Sequence, residues 1–86
     1  MGKTVVIYKV TPKDMEKLEE TIEQLKGVKL GEVRDIKKEE IGFGIIVIKA
    51  AVLIEEKDET VLEKLTAELN ALSAVEEARV EGMTLL

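Results

Sequence analysis

The sequence predicts an α+β domain whose elements run strand, helix, strand, strand, helix, strand. Three observations carry that prediction. Met15, Leu18, Ile22 and Leu25 recur at 3-4-3 spacing, and Leu62, Leu65, Leu69 and Leu72 repeat it, so two segments each carry one apolar helical stripe. Residues 3–10 and 45–55 are rich in β-branched and aliphatic side chains, as central strands are. Each helix stands between two strand-like segments, giving two strand-helix-strand units. With right-handed crossovers, two such units close into one four-stranded antiparallel sheet of order 4-1-3-2 with both helices on one face. That is the ferredoxin-like arrangement, and 86 residues suffice for one such domain, residues 1–86.

The elements follow in order. After the first strand, Thr11 is a suitable N-cap, Pro12 fits the first helical position, and Asp14 complements the N-terminal dipole. Gly27 is placed to end the helix. Residues 28–38 alternate weakly through Leu30, Val33 and Ile36 with charges between them, which reads as an edge strand with a bulge near Gly31. Residues 39–44 form the connection. In the third strand, residues 45–55, the even positions Ile46, Ile48, Ala50, Val52 and Ile54 are uniformly apolar and should face the helices. The odd set, Ile45, Val47, Ala51 and Leu53 with Lys49 among them, is left on an open face that could dimerise, meet a partner or be shielded by charged stems. Asp58 caps the second helix, and a last strand runs from Val75 to about residue 83 with Ala78 and Val80 on one side.

Composition narrows the function. There is no histidine and no cysteine, so the commonest general base, thiol chemistry and thiolate metal sites are absent. The carboxylate pairs Glu39-Glu40, Glu55-Glu56 and Glu76-Glu77 are sequence neighbours, whose side chains diverge to opposite faces of a strand. They also lack the spacing of a cation-binding loop, so no metal, cofactor or catalytic residue is expected. A net charge of −5 argues against holding nucleic acid by phosphate neutralisation. The RNA-recognition domains that share this topology use strand aromatics, whereas Tyr8 is the one strand aromatic here. The longest apolar run is broken by Lys49 and the N-terminus does not resemble a signal peptide, so no membrane contact and a cytoplasmic location are expected. What remains is recognition of a protein or of a small ligand.

One feature of that connection stands out. The chain's single phenylalanine, Phe43, lies between Gly42 and Gly44 at the opening of the third strand. A strand needs no bulky ring at its exposed corner. The ring either folds back over its own core or belongs in another protein's pocket. The glycines are expected to present it without Cβ crowding.

The stretch "IGFGI", Ile41 to Ile45, resembles the corner of the catalytic domain of the translation elongation factor 1-beta family. The likeness extends to the "YKVTP" of the first strand, the apolar third strand that ends in acidic residues, and the closing "VEEARVEGMTLL". Length and acidity are similar to those of the short archaeal members. The resemblance implies a guanine-nucleotide exchange factor for the elongation factor 1-alpha GTPase, itself not an enzyme. It implies that Phe43, with Ile41, Gly42 and Gly44, docks on the GTP-binding domain, and that the C-terminal end of the last strand lies beside it. In eukaryotic members a penultimate lysine disturbs Mg²⁺ coordination. Leu85 stands in that place here, so exchange is expected to depend on Phe43 and on the tail Met83, Thr84, Leu85 and Leu86. The alternatives are a regulatory module of the same fold that binds a small molecule, marked by a metabolite-stabilised dimer, and a structural subunit that touches no GTPase.

Overall fold

The computed structural model describes residues 2–55 and 59–85. Thr4–Pro12 forms β1, Leu18–Lys26 α1, Glu32–Gly42 β2, Ile45–Ile54 β3, Glu59–Asn70 α2 and Val75–Leu85 β4, with a single 3-10 turn, Met15–Lys17, leading into α1. The sheet order is β2-β3-β1-β4 with every neighbouring pair antiparallel, as the ferredoxin-like reading requires. The two central strands are the two most apolar ones.

The alternation along β1 sorts its residues by face. Thr4, Val6, Tyr8, Val10 and Pro12 are buried, and the intervening residues are half-exposed. Their partners Ile48, Ala50, Val52 and Ile54 complete the core side of the sheet. Against this surface pack Ile22 and Leu25 from α1 and Leu65 and Leu69 from α2, while Leu18, Leu62 and Leu72 flank them half-buried. Both predicted stripes therefore meet the even face of β3 as expected. Tyr8 is fully buried, so its hydroxyl needs a partner and finds Thr66 Oγ1 at 2.7 Å. Thr66 spends its own proton on the Leu62 carbonyl at 2.9 Å, which makes Tyr8 the donor. Burial pushes the Tyr8 pKa above 10.0, and the bond to Thr66 opposes that rise.

Element ends differ from the sequence reading, each for a local reason. The cap before α1 is Asp14, whose side chain accepts from the Glu16 N–H at 2.9 Å, and not Thr11. Thr11 and Pro12 instead extend β1, pairing with Glu77 and Val75. Gly27 does end α1, but with φ −88° rather than in the left-handed region. The second strand begins at residue 32, not 28. The N–H groups of Lys29 and Leu30 go to the Glu68 carboxylate, at 3.0 and 3.2 Å, instead of to a neighbouring strand. No bulge forms at Gly31; the irregularities of β2 lie at Arg34 and Ile41. Gly31 answers a different need, because a Cβ there would stand 2.5 Å from Val52 Cγ1 in the core. The expected cap Asp58 lies outside the described residues.

Side chains from the helices also hold the start of β4. Asn70 Nδ2 donates to the Ala78 carbonyl at 2.9 Å, and Asn70 Oδ1 accepts from the Ala78 N–H at 3.0 Å. An amide thus occupies both backbone groups of one edge residue, where another strand could otherwise pair. Gln24 Oε1 accepts from the Ala74 N–H at 2.9 Å in the same region.

Candidate functional site

β2 does not stop at residue 38; it runs on to Gly42, which pairs with Ile45, so the connection shrinks to Phe43 and Gly44. Of the two-residue hairpin turns whose twist matches that of the strands, type I′ needs positive φ at both central positions. Phe43 has φ +55° and Gly44 has φ +76°, with Gly42 at +120° before them. Gly42 and Gly44 have no heavy atom within 4 Å of a would-be Cβ, so dihedral freedom, and not crowding, is what calls for glycine there. Phe43 has no such freedom. An L-residue in the left-handed region costs roughly 1–2 kcal/mol.

The ring gains no packing in return. Phe43 is 105% exposed, which excludes the alternative in which it folds back over its own core. Ile41 on the adjoining bulge and Ile45 across the turn are exposed as well, so three apolar side chains cluster at one tip. Inside the tip, the Ile46 N–H points to Met15 Sδ at 3.3 Å, fixing the hairpin to the entry of α1.

The other group of expected contact residues sits on β4. A bulge at Glu81 shifts its register against β1, after which Met83 pairs with Val6, Thr84 with Val5 and Leu85 with Thr4. Since Thr4 and Val6 face the core and paired residues share a face, Met83 and Leu85 stand on the helix side of the sheet edge. Both are exposed, Leu85 at 68%. Val80, on the same side, opens a shallow groove of about 410 Å³ against Leu62, Thr66 and Ala67 of α2. Leu86 lies outside the described residues.

The structure does not bring these two groups together. Thr4 pairs with Leu85 on one side and with Ile54 on the other, so the tail lies at the end of β3 remote from the hairpin. The ten residues of β3 at about 3.3 Å each place some 30 Å between them, in a molecule 41 Å long. The expectation that the C-terminal end lies beside Phe43 is therefore corrected. Antiparallel pairing sends β4 away from the hairpin end, where it begins opposite Pro12. Among the described residues no group of three or more Asp or Glu is arranged to hold a metal ion, and no helix is long and apolar enough to cross a membrane.

A two-layer domain with a strained, solvent-exposed aromatic tip and a second apolar patch at its far end belongs to the class of small ferredoxin-like interaction domains. Comparison with known proteins carries this further. Residues 5–86 match the family model of the EF-1 guanine nucleotide exchange domain. A protein named elongation factor 1-beta from Methanospirillum hungatei is 38% identical with all of both chains covered. Another of that name, from Methanocorpusculum labreanum, is 33% identical over 100% of this chain and 99% of its own. The chain belongs to the EF-1 guanine nucleotide exchange domain family, and it is a guanine-nucleotide exchange factor of translation elongation. The fold alone is shared with the C-terminal domain of the MgtC protein from Mycobacterium tuberculosis, at TM-score 0.54 and 21% identity, covering 100% of this chain and 88% of that one.

Proposed function

We propose that the chain promotes GDP release from the elongation factor 1-alpha GTPase through two apolar contacts at opposite ends of its sheet. One is the hairpin tip of Ile41, Gly42, Phe43 and Gly44. The other is the end of β4, Met83, Thr84 and Leu85, continued by Leu86. The observation that carries this reading is a fully exposed ring held in an unfavourable backbone conformation. Strain of that kind persists where it serves something other than the fold.

The chain forms and breaks no covalent bond in this scheme. An exchange factor and a nucleotide that weaken one another's binding do so equally, so the factor favours the empty GTPase. Burying the Phe43 ring in a pocket of the partner supplies about 1.5–3 kcal/mol toward that state. Leu85, standing where eukaryotic relatives carry lysine, brings apolar surface and no charge, so a cation directed at Mg²⁺ is not part of the mechanism here. The cytoplasm is the compartment in which this activity is used.

The test is release of a fluorescent GDP analogue from elongation factor 1-alpha. Sub-stoichiometric amounts of the chain should accelerate release, and Phe43→Ala should abolish the acceleration while leaving the melting temperature nearly unchanged. Release that stays at the intrinsic rate under saturating factor would refute the proposal.

A further inference from the structure

The two edges of the sheet are guarded unequally. β2 is charged along most of its length, which is how an exposed edge avoids pairing with a foreign strand. β4 carries Glu76, Glu77, Arg79 and Glu81 in its first part and no charge from Gly82 to Leu85. Asn70 adds to the guard there by bonding both the N–H and the C=O of Ala78, so these two groups point away from β1. Ala78, Val80, Met83 and Leu85 oppose Val10, Tyr8, Val6 and Thr4, which are alternate residues of one strand. Pairs at alternate positions of an antiparallel ladder are of the same kind, so Val80, Met83 and Leu85 also turn their backbone groups outward. Among the described residues, no side chain takes those groups as Asn70 takes the ones of Ala78. Each of the three residues thus offers one donor and one acceptor to a further strand.

The side chains beside this edge suit an added strand as well. Val80, Met83 and Leu85 are exposed on the helix side of the sheet. Val80 forms one wall of the groove of about 410 Å³ whose other wall is Leu62, Thr66 and Ala67 of α2. A strand laid against β4 alternates its side chains between the two faces, so every second one enters that groove. Glu63 is the one charged residue lining it, and Glu59 lies one turn earlier on the same face of α2. Neither is in an ion pair among the described residues. The neighbouring cations face elsewhere. Lys64 is two positions from both Leu62 and Thr66 and so on another side of α2, and Arg79 pairs with Lys9 on the open face of the sheet.

We propose that the edge of β4 from Val80 to Leu85 takes up an extended segment of the elongation factor 1-alpha GTPase as a fifth strand. Apolar side chains of that segment enter the groove beside α2, and a lysine or arginine next to them meets Glu63 and Glu59. The inference rests on the exchange reading and specifies how the tail makes its contact, by backbone pairing in addition to side-chain burial. Asn70 ends the added strand at Ala78. A second copy of the chain is the poorer occupant, because edge-to-edge pairing would set one acidic groove against another between chains that each carry a net charge of −5.

Amide hydrogen exchange, read residue by residue on the full chain alone and with saturating nucleotide-free elongation factor 1-alpha, tests the pairing. In the free chain the amides of Val80, Met83 and Leu85 should exchange faster than those of Arg79 and Thr84, and the GTPase should slow all three at least tenfold. Met83→Pro and Met83→Ala then separate backbone from side chain, since both remove the thioether and only proline removes the outward N–H. The proline variant should need about tenfold more protein than the alanine variant for half-maximal acceleration of GDP release, the equivalent of 1.4 kcal/mol. Its melting temperature should match that of the alanine variant, because an edge strand tolerates proline where the N–H faces solvent. Unchanged exchange at the three amides in the complex, equal half-maximal concentrations for the two variants, or a proline variant that melts far lower would each overturn the proposal. A wild type that does not accelerate GDP release would remove the exchange reading and the fifth strand together. Acceleration without protection of the three amides would remove the fifth strand alone.

Discussion

At Phe43 two demands on one residue conflict, and the conflict can be measured. The two-residue turn asks for a side chain that tolerates positive φ, for which asparagine followed by glycine is the favoured pair. The chain supplies the glycine, Gly44, but puts a phenylalanine where asparagine belongs. Phe43→Asn should therefore stabilise the fold by about 1 kcal/mol, raising the melting temperature by roughly 4–8 °C in a domain of this size. The same substitution should abolish acceleration of GDP release, because the ring is gone. Thermal melting and the release assay on one variant check both halves. A variant that is less stable than the wild type would show that the ring serves its own domain. In the sequence, the flanking glycines already pointed to an exposed corner. What they could not reveal was the sign of φ at Phe43 itself, since that depends on β2 continuing to Gly42 and closing the loop to two residues.

At the scale of elements, periodicity made both helices and the helix-facing side of β3 legible, because burial of one face imposes a regular spacing. The boundaries of β2 were not legible, because they depend on tertiary contacts. Glu68, nearly forty positions away along the chain, takes the N–H groups of Lys29 and Leu30, and no local pattern encodes that. The two glycines near this junction separate the local from the tertiary reason. Gly27 has negative φ and would bring a Cβ no closer than 3.6 Å to the Gln24 carbonyl, so Gly27→Ala should be neutral or stabilise by up to about 1 kcal/mol. Gly31→Ala would drive a methyl against Val52, which is fully buried and cannot withdraw, and should cost about 1–3 kcal/mol. Urea denaturation of the two variants makes the comparison, and equal effects would contradict the assigned close approach. The predicted capping role of Thr11 failed for a related reason. Its place was taken by pairing of Thr11 and Pro12 with β4, a contact made across the whole length of the chain.

For the whole molecule, antiparallel pairing is what sets the distance between the two candidate contacts. β2 and β3 meet at the Phe43 end, β1 runs toward that end to Pro12, and β4, running antiparallel to β1, starts there and finishes at the other. A domain touching its partner at points about 30 Å apart acts as a spacer whose stiffness comes from the central pair β1 and β3. This geometry makes a quantitative prediction about exchange. Energetic effects of substitutions more than 7–10 Å apart with no shared partner add to within about 0.3–0.5 kcal/mol. The loss in activation free energy for GDP release caused by trimming the Phe43 ring and the loss caused by deleting Leu85 and Leu86 should therefore sum in the combined variant. Each must be partial for the sum to be readable, so Phe43→Leu, which keeps apolar surface at the tip, is the better first arm of the cycle. Release rates for the wild type, the two single variants and the combined variant at saturating factor supply the four corners. A combined loss well below the sum would mean that tip and tail act on one element of the GTPase, whereas additivity is the outcome expected of two ends held apart by a rigid sheet.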